Sequence, residues 1–212
     1  MKRVIVFCEG QTEETFVREV LSNSFDPQRF SFTPILFNTS KNHKGGIVSY
    51  KKIKWQIENK CREDPGAYVT TLIDLYGLPN DFPKKQELGL HTCLYEKAEA
   101  LEKAFSDDIS QSNFISNLAL HEFEGLLFSD VSKFESWFNA AADALEQEAS
   151  TFESPEHIND DPLTAPSKRI LRICKEYDKI LHGSLIAIDI GLSTIRSKSV
   201  HFNSWLSKIE SL

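Results

Sequence analysis

An unbroken apolar run near the start of the chain, from Val4 to Cys8, constrains the fold more than any other feature, and it stops abruptly at Glu9-Gly10. A strand that is apolar at every position, rather than at every second one, is typical of a parallel sheet covered on both faces. From Gln11 onward the apolar residues follow helical spacing. The chain therefore opens with a strand, a tight turn and a helix, and Glu9 lies at the carboxyl end of the strand.

Short apolar segments alternate with segments of helical periodicity up to about residue 130. The polar, glycine-containing stretch at 41–46 is expected to be a loop. Because strands and helices alternate, the sequence predicts an α/β fold with a mostly parallel sheet and helices on both faces. The further strands are predicted at Phe30–Phe37, Tyr68–Leu75 and Phe114–Leu120, and the helices at Val48–Cys61 and Leu94–Phe105.

Beyond Asp130 the strand pattern fades and helical periodicity dominates. Helices are predicted at Val131–Ala149 and Ser167–Leu181, while Ser184–Ile190 fits either a short strand or a helix. The chain contains no internal repeat, low-complexity tract or clear linker. We therefore expect a single domain over residues 1–212, with a core at about 1–130 and a helical C-terminal extension at about 131–212.

Charge is distributed unevenly along a chain whose net charge is −7. Seven basic residues and one acid lie between Lys41 and Arg62, and eight basic residues and three acids lie between Lys168 and Lys208. Between Glu96 and Asp161 the balance is reversed, with sixteen acids and three bases. Each basic segment fits either a solvated helix face or a surface that docks a polyanion.

The sequence is typical of a cytoplasmic protein. Its four cysteines are scattered, without the paired spacing of zinc or redox sites. No window approaches the roughly 20 apolar residues that a membrane span needs, and the apolar stretch at the N-terminus is too short for a signal peptide. We therefore expect reduced cysteines, a cytoplasmic location and no membrane partner.

Acidic residues follow three of the predicted strands: Glu9, Asp74 and the pair Glu122 and Glu124. Ligands of open parallel sheets bind beyond the carboxyl ends of the strands. Mg²⁺ is held by a few carboxylates together with substrate phosphate and water. Each acid alone fits an exposed loop residue, but three strands that end in this way favour a metal site.

Three motifs together resemble a known family: Glu9-Gly10-Gln11-Thr12-Glu13, Leu72-Ile73-Asp74-Leu75-Tyr76-Gly77-Leu78-Pro79 and His121-Glu122-Phe123-Glu124. They are similar to the bacterial domain of unknown function family 4276, which is assigned to the TOPRIM fold of topoisomerases, primases and overcoming-lysogenization-defect nucleases. Similarity at Ala165–Arg169 and His201–Trp205 extends the resemblance over nearly the whole chain.

The resemblance implies roles for the strand-end acids. Glu9 would be the TOPRIM glutamate, either a metal ligand or an acid/base, and Asp74 would be the first aspartate of the fold's Asp-any-Asp pair, a metal ligand. Tyr76 holds the position of the second aspartate, which departs from the pattern of two-metal chemistry. Glu124 is the candidate replacement ligand. Glu13, about one helical turn beyond Glu9, fits metal ligation and stabilisation of the helix dipole equally well.

Three other residues are candidates for the same site. Lys168 and Arg169 lie near a predicted helix start, where they fit either phosphate binding or a solvated face. The pKa of a histidine suits a proton shuttle or a metal ligand, but a lone residue such as His121 at a strand end is more often a hydrogen-bonded structural residue.

We therefore expect a Mg²⁺- or Mn²⁺-dependent nuclease that hydrolyses phosphodiester bonds in nucleic acid, with Glu9, Asp74 and Glu124 at the metal. The family resemblance implies a component of a phage-defence or DNA-processing system that works with a separate ATPase partner. Two alternatives remain open. One is a non-catalytic TOPRIM-like module that binds nucleic acid or an ATPase, and the other is a metal-dependent enzyme that acts on a small phosphorylated substrate.

Overall fold

Four parallel strands form one sheet in a computed structural model that describes residues 1–38, 49–90, 93–158, 161 and 163–212. The predicted loop at 41–46 and the first part of the basic segment Lys41–Arg62 lie outside the described residues. The α/β class with a parallel sheet is confirmed. The strand order is β2-β1-β3-β4, with β1 at Lys2–Cys8, β2 at Phe30–Leu36, β3 at Ala67–Leu72 and β4 at Phe114–Ile115.

The first strand lies between two neighbours and is buried on both faces. Cys8 pairs with Leu36 of β2 on one side and with Leu72 of β3 on the other. Its apolar side chains alternate between two hydrophobic clusters, which explains why the run has no polar position. One cluster contains Val4, Val6 and Cys8, and the other contains Ile5 and Phe7.

Helices cover both faces of the sheet, as predicted. The face of Ile5 and Phe7 packs against α3 (Tyr50–Glu63) and α4 (Leu94–Ile109). The opposite face packs against α1 (Gln11–Phe16), which continues through a π-helical turn (Val17–Leu21) into α2 (Ser22–Ser24). Five further helices pack on the same face: α5 (Ala142–Ala149), α6 (Pro166–Ile173), α7 (Leu181–Ile190), α8 (Leu192–Lys198) and α9 (Val200–Glu210).

Within the described ranges, no helix combines the length and the apolar character that crossing a membrane requires.

The C-terminal helices contribute to the core of the sheet. Trp205 of α9 is 1% exposed, and its indole N–H donates to the hydroxyl of Thr70 on β3 at 2.9 Å. The buried carboxylate of Glu156 accepts the first free N–H groups of α9, from His201 at 3.0 Å and Phe202 at 2.9 Å. The Trp205–Thr70 hydrogen bond joins the expected extension to the sheet, and the Glu156 contacts hold α9 within that extension.

The fourth strand is shorter than the predicted Phe114–Leu120, because side chains replace the ladder hydrogen bonds after Ile115. The buried Asn117 amide donates to the carbonyl of Thr71 at 2.8 Å. Pairing with the third strand resumes at a single point, where Ala119 forms a parallel bridge with Asp74. This bridge carries the following residues to the end of β3.

The single helix predicted at Val131–Ala149 is wrong. A 3₁₀ helix at Val131–Ser136 is followed by α5, and Ala140 lies between them with a left-handed φ of 58°. The Glu135 carboxylate accepts the N–H of Ala140 at 2.9 Å. This hydrogen bond stabilises the turn that separates the two helices.

The predicted helix Ser167–Leu181 is also wrong, because the chain turns between α6 and α7. The side chain of Asp178 accepts the N–H of Leu181, the first residue of α7, at 2.8 Å, so it stabilises the turn that leads into α7. The segment Ser184–Ile190, for which strand and helix were both open, is helical. The turn before α7 places Lys179 close to the carboxyl end of the sheet.

Candidate functional site

Glu9 and Asp74 lie side by side at the carboxyl edge of the sheet. Glu9 directly follows β1, and Asp74 is two residues beyond Leu72 of β3. The backbone N–H of Asp74 donates to Oε2 of Glu9 at 3.4 Å. Parallel pairing of β1 and β3 therefore produces the carboxylate pair that the sequence predicted at neighbouring strand ends.

The protein environment disfavours ionisation of both acids. Burial raises the pKa of Glu9, and the nearby Glu13 raises it further, while the N–H of Asp74 opposes the shift. Burial also raises the pKa of Asp74, and Glu9 and Glu13 add to the effect. A bound cation would oppose both shifts and favour the ionised carboxylates.

Glu13 lies beside the pair with a hydrogen bond of its own. Its side chain is 6% exposed, and its Oε2 accepts the backbone N–H of Gly10 at 2.9 Å. This contact stabilises the start of α1, in agreement with the structural role considered for this residue. Glu13 nevertheless adds negative charge to the site.

Glu124 does not follow a strand, in contrast to the prediction. It lies in a 3₁₀ helix at Phe123–Ser129, and its side chain is fully buried. Its Oε2 is 3.0 Å from Nζ of Lys179, whose side chain is 40% exposed. Burial raises the pKa of Glu124, and Lys179 opposes that shift. The carboxylate of Glu124 is therefore engaged in an ion pair.

Lys179 was not singled out from the sequence, although it lies in the basic segment Lys168–Lys208. Burial alone would lower the pKa of its ammonium, but Glu124, Glu13 and Asp74 together raise it above the ordinary value. Its positive charge in turn lowers the pKa of Glu9. The ammonium therefore belongs to the same electrostatic cluster as the carboxylate pair.

Two further residues, Glu122 and Tyr76, interact electrostatically with the carboxylate pair. Glu122 is half-buried, and its Oε2 accepts the N–H of Ser167 at the start of α6 at 3.2 Å. Tyr76 is also half-buried, and burial together with Glu122 and Asp74 raises its pKa. Because its hydroxyl stays protonated, Tyr76 does not supply the anionic oxygen of an aspartate at that position.

The remaining sequence candidates have contacts away from the pair. The Nε2 of His121 lies 2.8 Å from the carbonyl oxygen of Glu156, which fits the structural role expected for this buried residue. The guanidinium of Arg169 lies 2.6 Å from Glu148 and packs over a phenylalanine ring, so it joins α6 to α5. Lys168 is exposed one position earlier.

The donor set fits one Mg²⁺ held by two carboxylates better than a full protein cage. Among the described residues, no group of three or more His, Cys, Asp or Glu side chains is arranged to hold a metal ion. Mg²⁺ commonly uses only one or two carboxylates and completes its shell with water and substrate phosphate. Glu9 and Asp74 supply that number, while Glu13 and Glu124 are engaged with Gly10 and Lys179.

A cavity lies next to the pair and gives the site depth. It is lined by Glu13, Asp74 and His121 together with apolar side chains such as Leu118 and Phe202. Fold and site together define an α/β protein with a carboxylate centre at the carboxyl edge of a parallel sheet.

The chain belongs to the family described as Domain of unknown function (DUF4276), whose model matches residues 8–210. This match covers the three motifs of the sequence, so the predicted family is confirmed, whereas its assignment to the TOPRIM fold stays a prediction. The chain matches no curated protein and no solved structure at a significant level.

Proposed function

We propose that this protein is a TOPRIM-like nuclease that uses Mg²⁺ or Mn²⁺ to hydrolyse phosphodiester bonds in nucleic acid. The observation that supports it best is the contact between Asp74 N–H and Glu9 at the carboxyl edge of a parallel sheet. This edge is where such sheets bind ligands. Two half-buried carboxylates that repel each other are stabilised by a divalent cation, and a phosphodiester supplies further oxygen ligands.

The residues of the site have distinct tasks in this proposal. Glu9 and Asp74 would hold the ion, which supplies an activated water and neutralises charge on the phosphate. Glu9, whose pKa is raised by burial, is also a candidate for the acid/base role that the family resemblance implies. Lys179 adds a positive charge beside the pair. Together these groups provide the charge pattern for attack on an anionic ester.

The wider setting is proposed from the family resemblance. The protein would act in the cytoplasm, in a phage-defence or DNA-processing system with a separate ATPase partner. The sequence lacks the Gly-rich loop with Lys-Ser/Thr that cradles the phosphates of ATP, so a partner would supply ATP hydrolysis.

The decisive experiment compares the parent protein with Asp74→Asn on single- and double-stranded DNA and RNA, in Mg²⁺, Mn²⁺ and chelator. The parent should cleave only with metal, and Asp74→Asn should lose activity by roughly two to three orders of magnitude, because charge stabilisation at a transition state is lost. Asp143→Asn, an exposed aspartate on α5, is the matched control and should retain activity. Cleavage that survives in Asp74→Asn would remove this residue from the reaction.

The tyrosine at position 76 is an observation in favour of one other function. In that case the protein would be a non-catalytic module that binds nucleic acid or an ATPase. The raised pKa of Tyr76 keeps its hydroxyl neutral where the TOPRIM pattern has an acid. If the parent is thermally stabilised by Mg²⁺ but cleaves no nucleic acid, the module is the better description. Tyr76→Asp should then bind Mg²⁺ more tightly than the parent, because it adds an anionic oxygen beside Asp74.

A further inference from the structure

Contacts made by neighbouring residues order the turn that contains Lys179. Two residues before it, Tyr177 is 7% exposed. A Cβ added to Gly183 would lie only 2.9 Å from the Tyr177 hydroxyl, so the first turn of α7 packs directly against this ring. The carboxylate of Asp178 accepts the N–H of Leu181, the first residue of α7, and this contact closes the turn around Lys179. The backbone of Lys179 is therefore well ordered by its neighbours.

Glu124 determines where the ammonium of Lys179 points. Its carboxylate is fully buried and lies 3.0 Å from Nζ, while the lysine side chain is 40% exposed. A buried carboxylate without a charged partner is strongly unfavourable. The ion pair therefore holds the ammonium against Glu124, while the lysine side chain as a whole stays partly exposed to solvent.

The ammonium of Lys179 acts in opposite ways on the two ligands of the proposed reaction, the divalent cation and the phosphate. The first turn of α7 lies against α1, because a Cβ added to Gly183 would be 3.6 Å from Cγ2 of Thr12, the neighbour of Glu13. The ammonium of Lys179 interacts electrostatically with Glu9, Asp74 and Glu13. A positive charge at this position repels a divalent cation bound between Glu9 and Asp74 and attracts an anionic phosphate.

Building on the proposed function, we propose that Lys179 binds a phosphate oxygen of the nucleic-acid backbone at the carboxylate pair, with Glu124 as its positioning residue. The C-terminal helices thereby contribute a substrate contact to a site whose acids belong to the sheet. This role replaces the one expected for Arg169, whose guanidinium is engaged with Glu148.

The test measures two affinities of Lys179→Met: the affinity for Mg²⁺ should rise and the affinity for nucleic acid should fall. Mg²⁺ affinity, measured from thermal melting as a function of Mg²⁺ concentration, should increase by about threefold or more, because a repelling charge is removed. Binding of short fluorescein-labelled single strands of DNA and RNA in saturating Ca²⁺ should weaken about tenfold. The slope of log affinity against log salt should fall by about one phosphate contact.

Three variants separate this role from a structural one. Lys179→Arg keeps the charge and should retain most of the nucleic-acid binding. Lys175→Met, at an exposed position four residues earlier, should leave both affinities unchanged. Glu124→Gln should weaken nucleic-acid binding in the parent but have little further effect in Lys179→Met, because it acts through the lysine.

The outcomes distinguish this inference from the proposed function. If the parent binds nucleic acid and Lys179→Met binds it with the same affinity and salt slope, the inference is wrong and the proposed function stands. A loss of both affinities together with a lower melting temperature would show that Lys179 is only the counterion of Glu124. If the parent binds no nucleic acid, the proposed function fails, and this inference with it.

Discussion

The backbone N–H of Asp74 lies 3.4 Å from Oε2 of Glu9, although the two residues are 65 positions apart and follow different strands. The contact depends on the parallel register of β1 and β3, in which Cys8 pairs with Leu72. A carboxylate pair formed in this way does not depend on a loop conformation. The sheet itself keeps the two acids together, and their repulsion is part of the cost of folding.

Stability in chelator should fall as pH rises above the ordinary carboxyl range. The pKa of Glu9 is raised above 4.5 and that of Asp74 above 3.8, so the folded protein keeps protons that the unfolded chain has released. The stability contributed by the protonated acids is complete below their ordinary pKa values and is lost as pH rises through the raised ones. Thermal melting in EDTA over this range measures the fall.

A double variant, Glu9→Gln with Asp74→Asn, is the control for this pH dependence. Its melting temperature should change less with pH over the same range, because the two titrating groups are absent. An equal fall in the parent and the double variant would assign the effect to other acids, such as Glu124.

Glu13→Gln should separate stabilisation of α1 from metal ligation. The amide oxygen of glutamine can still accept the N–H of Gly10, so the hydrogen bond at the helix start is retained. Removal of one negative charge beside Asp74 should leave stability in chelator equal or higher, whereas Glu13→Ala should cost about 1 kcal/mol. If Glu13 is not a ligand, the variant keeps most of the parent's melting shift with Mg²⁺. Loss of the melting shift in Glu13→Gln would show that Glu13 is a metal ligand.

The hydrogen bond from Trp205 to Thr70 should contribute measurably to stability. Thr70→Val leaves a buried indole N–H without its acceptor, and the cost should be about 1–3 kcal/mol. Trp205→Phe also removes buried volume, so it should cost at least as much. Urea unfolding of both single variants and the double variant tests the pair. Costs that simply add would mean that the two side chains are not coupled.

Arg169 and Lys168 should respond differently to substitution although they are adjacent. Arg169→Lys loses the fixed geometry that reaches both Glu148 and the carbonyl of Thr164, so it should destabilise the protein by about 1 kcal/mol. Lys168→Met should leave the melting temperature unchanged. A lower salt slope of nucleic-acid binding in Lys168→Met would show that this exposed lysine contacts phosphate, as the sequence suggested.

The sheet and its acidic edge were predictable because they depend on simple periodicity. An apolar residue at every position of Val4–Cys8 requires burial on both faces, and both clusters contain residues of this run. Glu9 and Asp74 follow from where the apolar runs stop. Parallel strands that are neighbours bring such residues together without any further information.

Glu124 and Lys179 were not predictable in the same way, because turns decide their positions. The path after β4 depends on Asn117, whose side chain replaces strand hydrogen bonds. The turn that contains Lys179 is stabilised by the hydrogen bond from the N–H of Leu181 to the Asp178 side chain. The apolar spacing from Ser167 onward fitted one longer helix, so the sequence did not reveal this turn.

Thr70 and Trp205 are 135 positions apart, so the ribosome makes β3 long before it makes the residue that covers it. Throughout that interval one face of the sheet lacks its helices, and the nascent chain carries exposed apolar strands. Contacts of such long range slow folding, and uncovered strands favour aggregation. A product that ends with α6, at Ile173, would carry Glu9 and Asp74 but not Lys179. Premature termination would therefore yield an aggregation-prone fragment, not a smaller version of the protein.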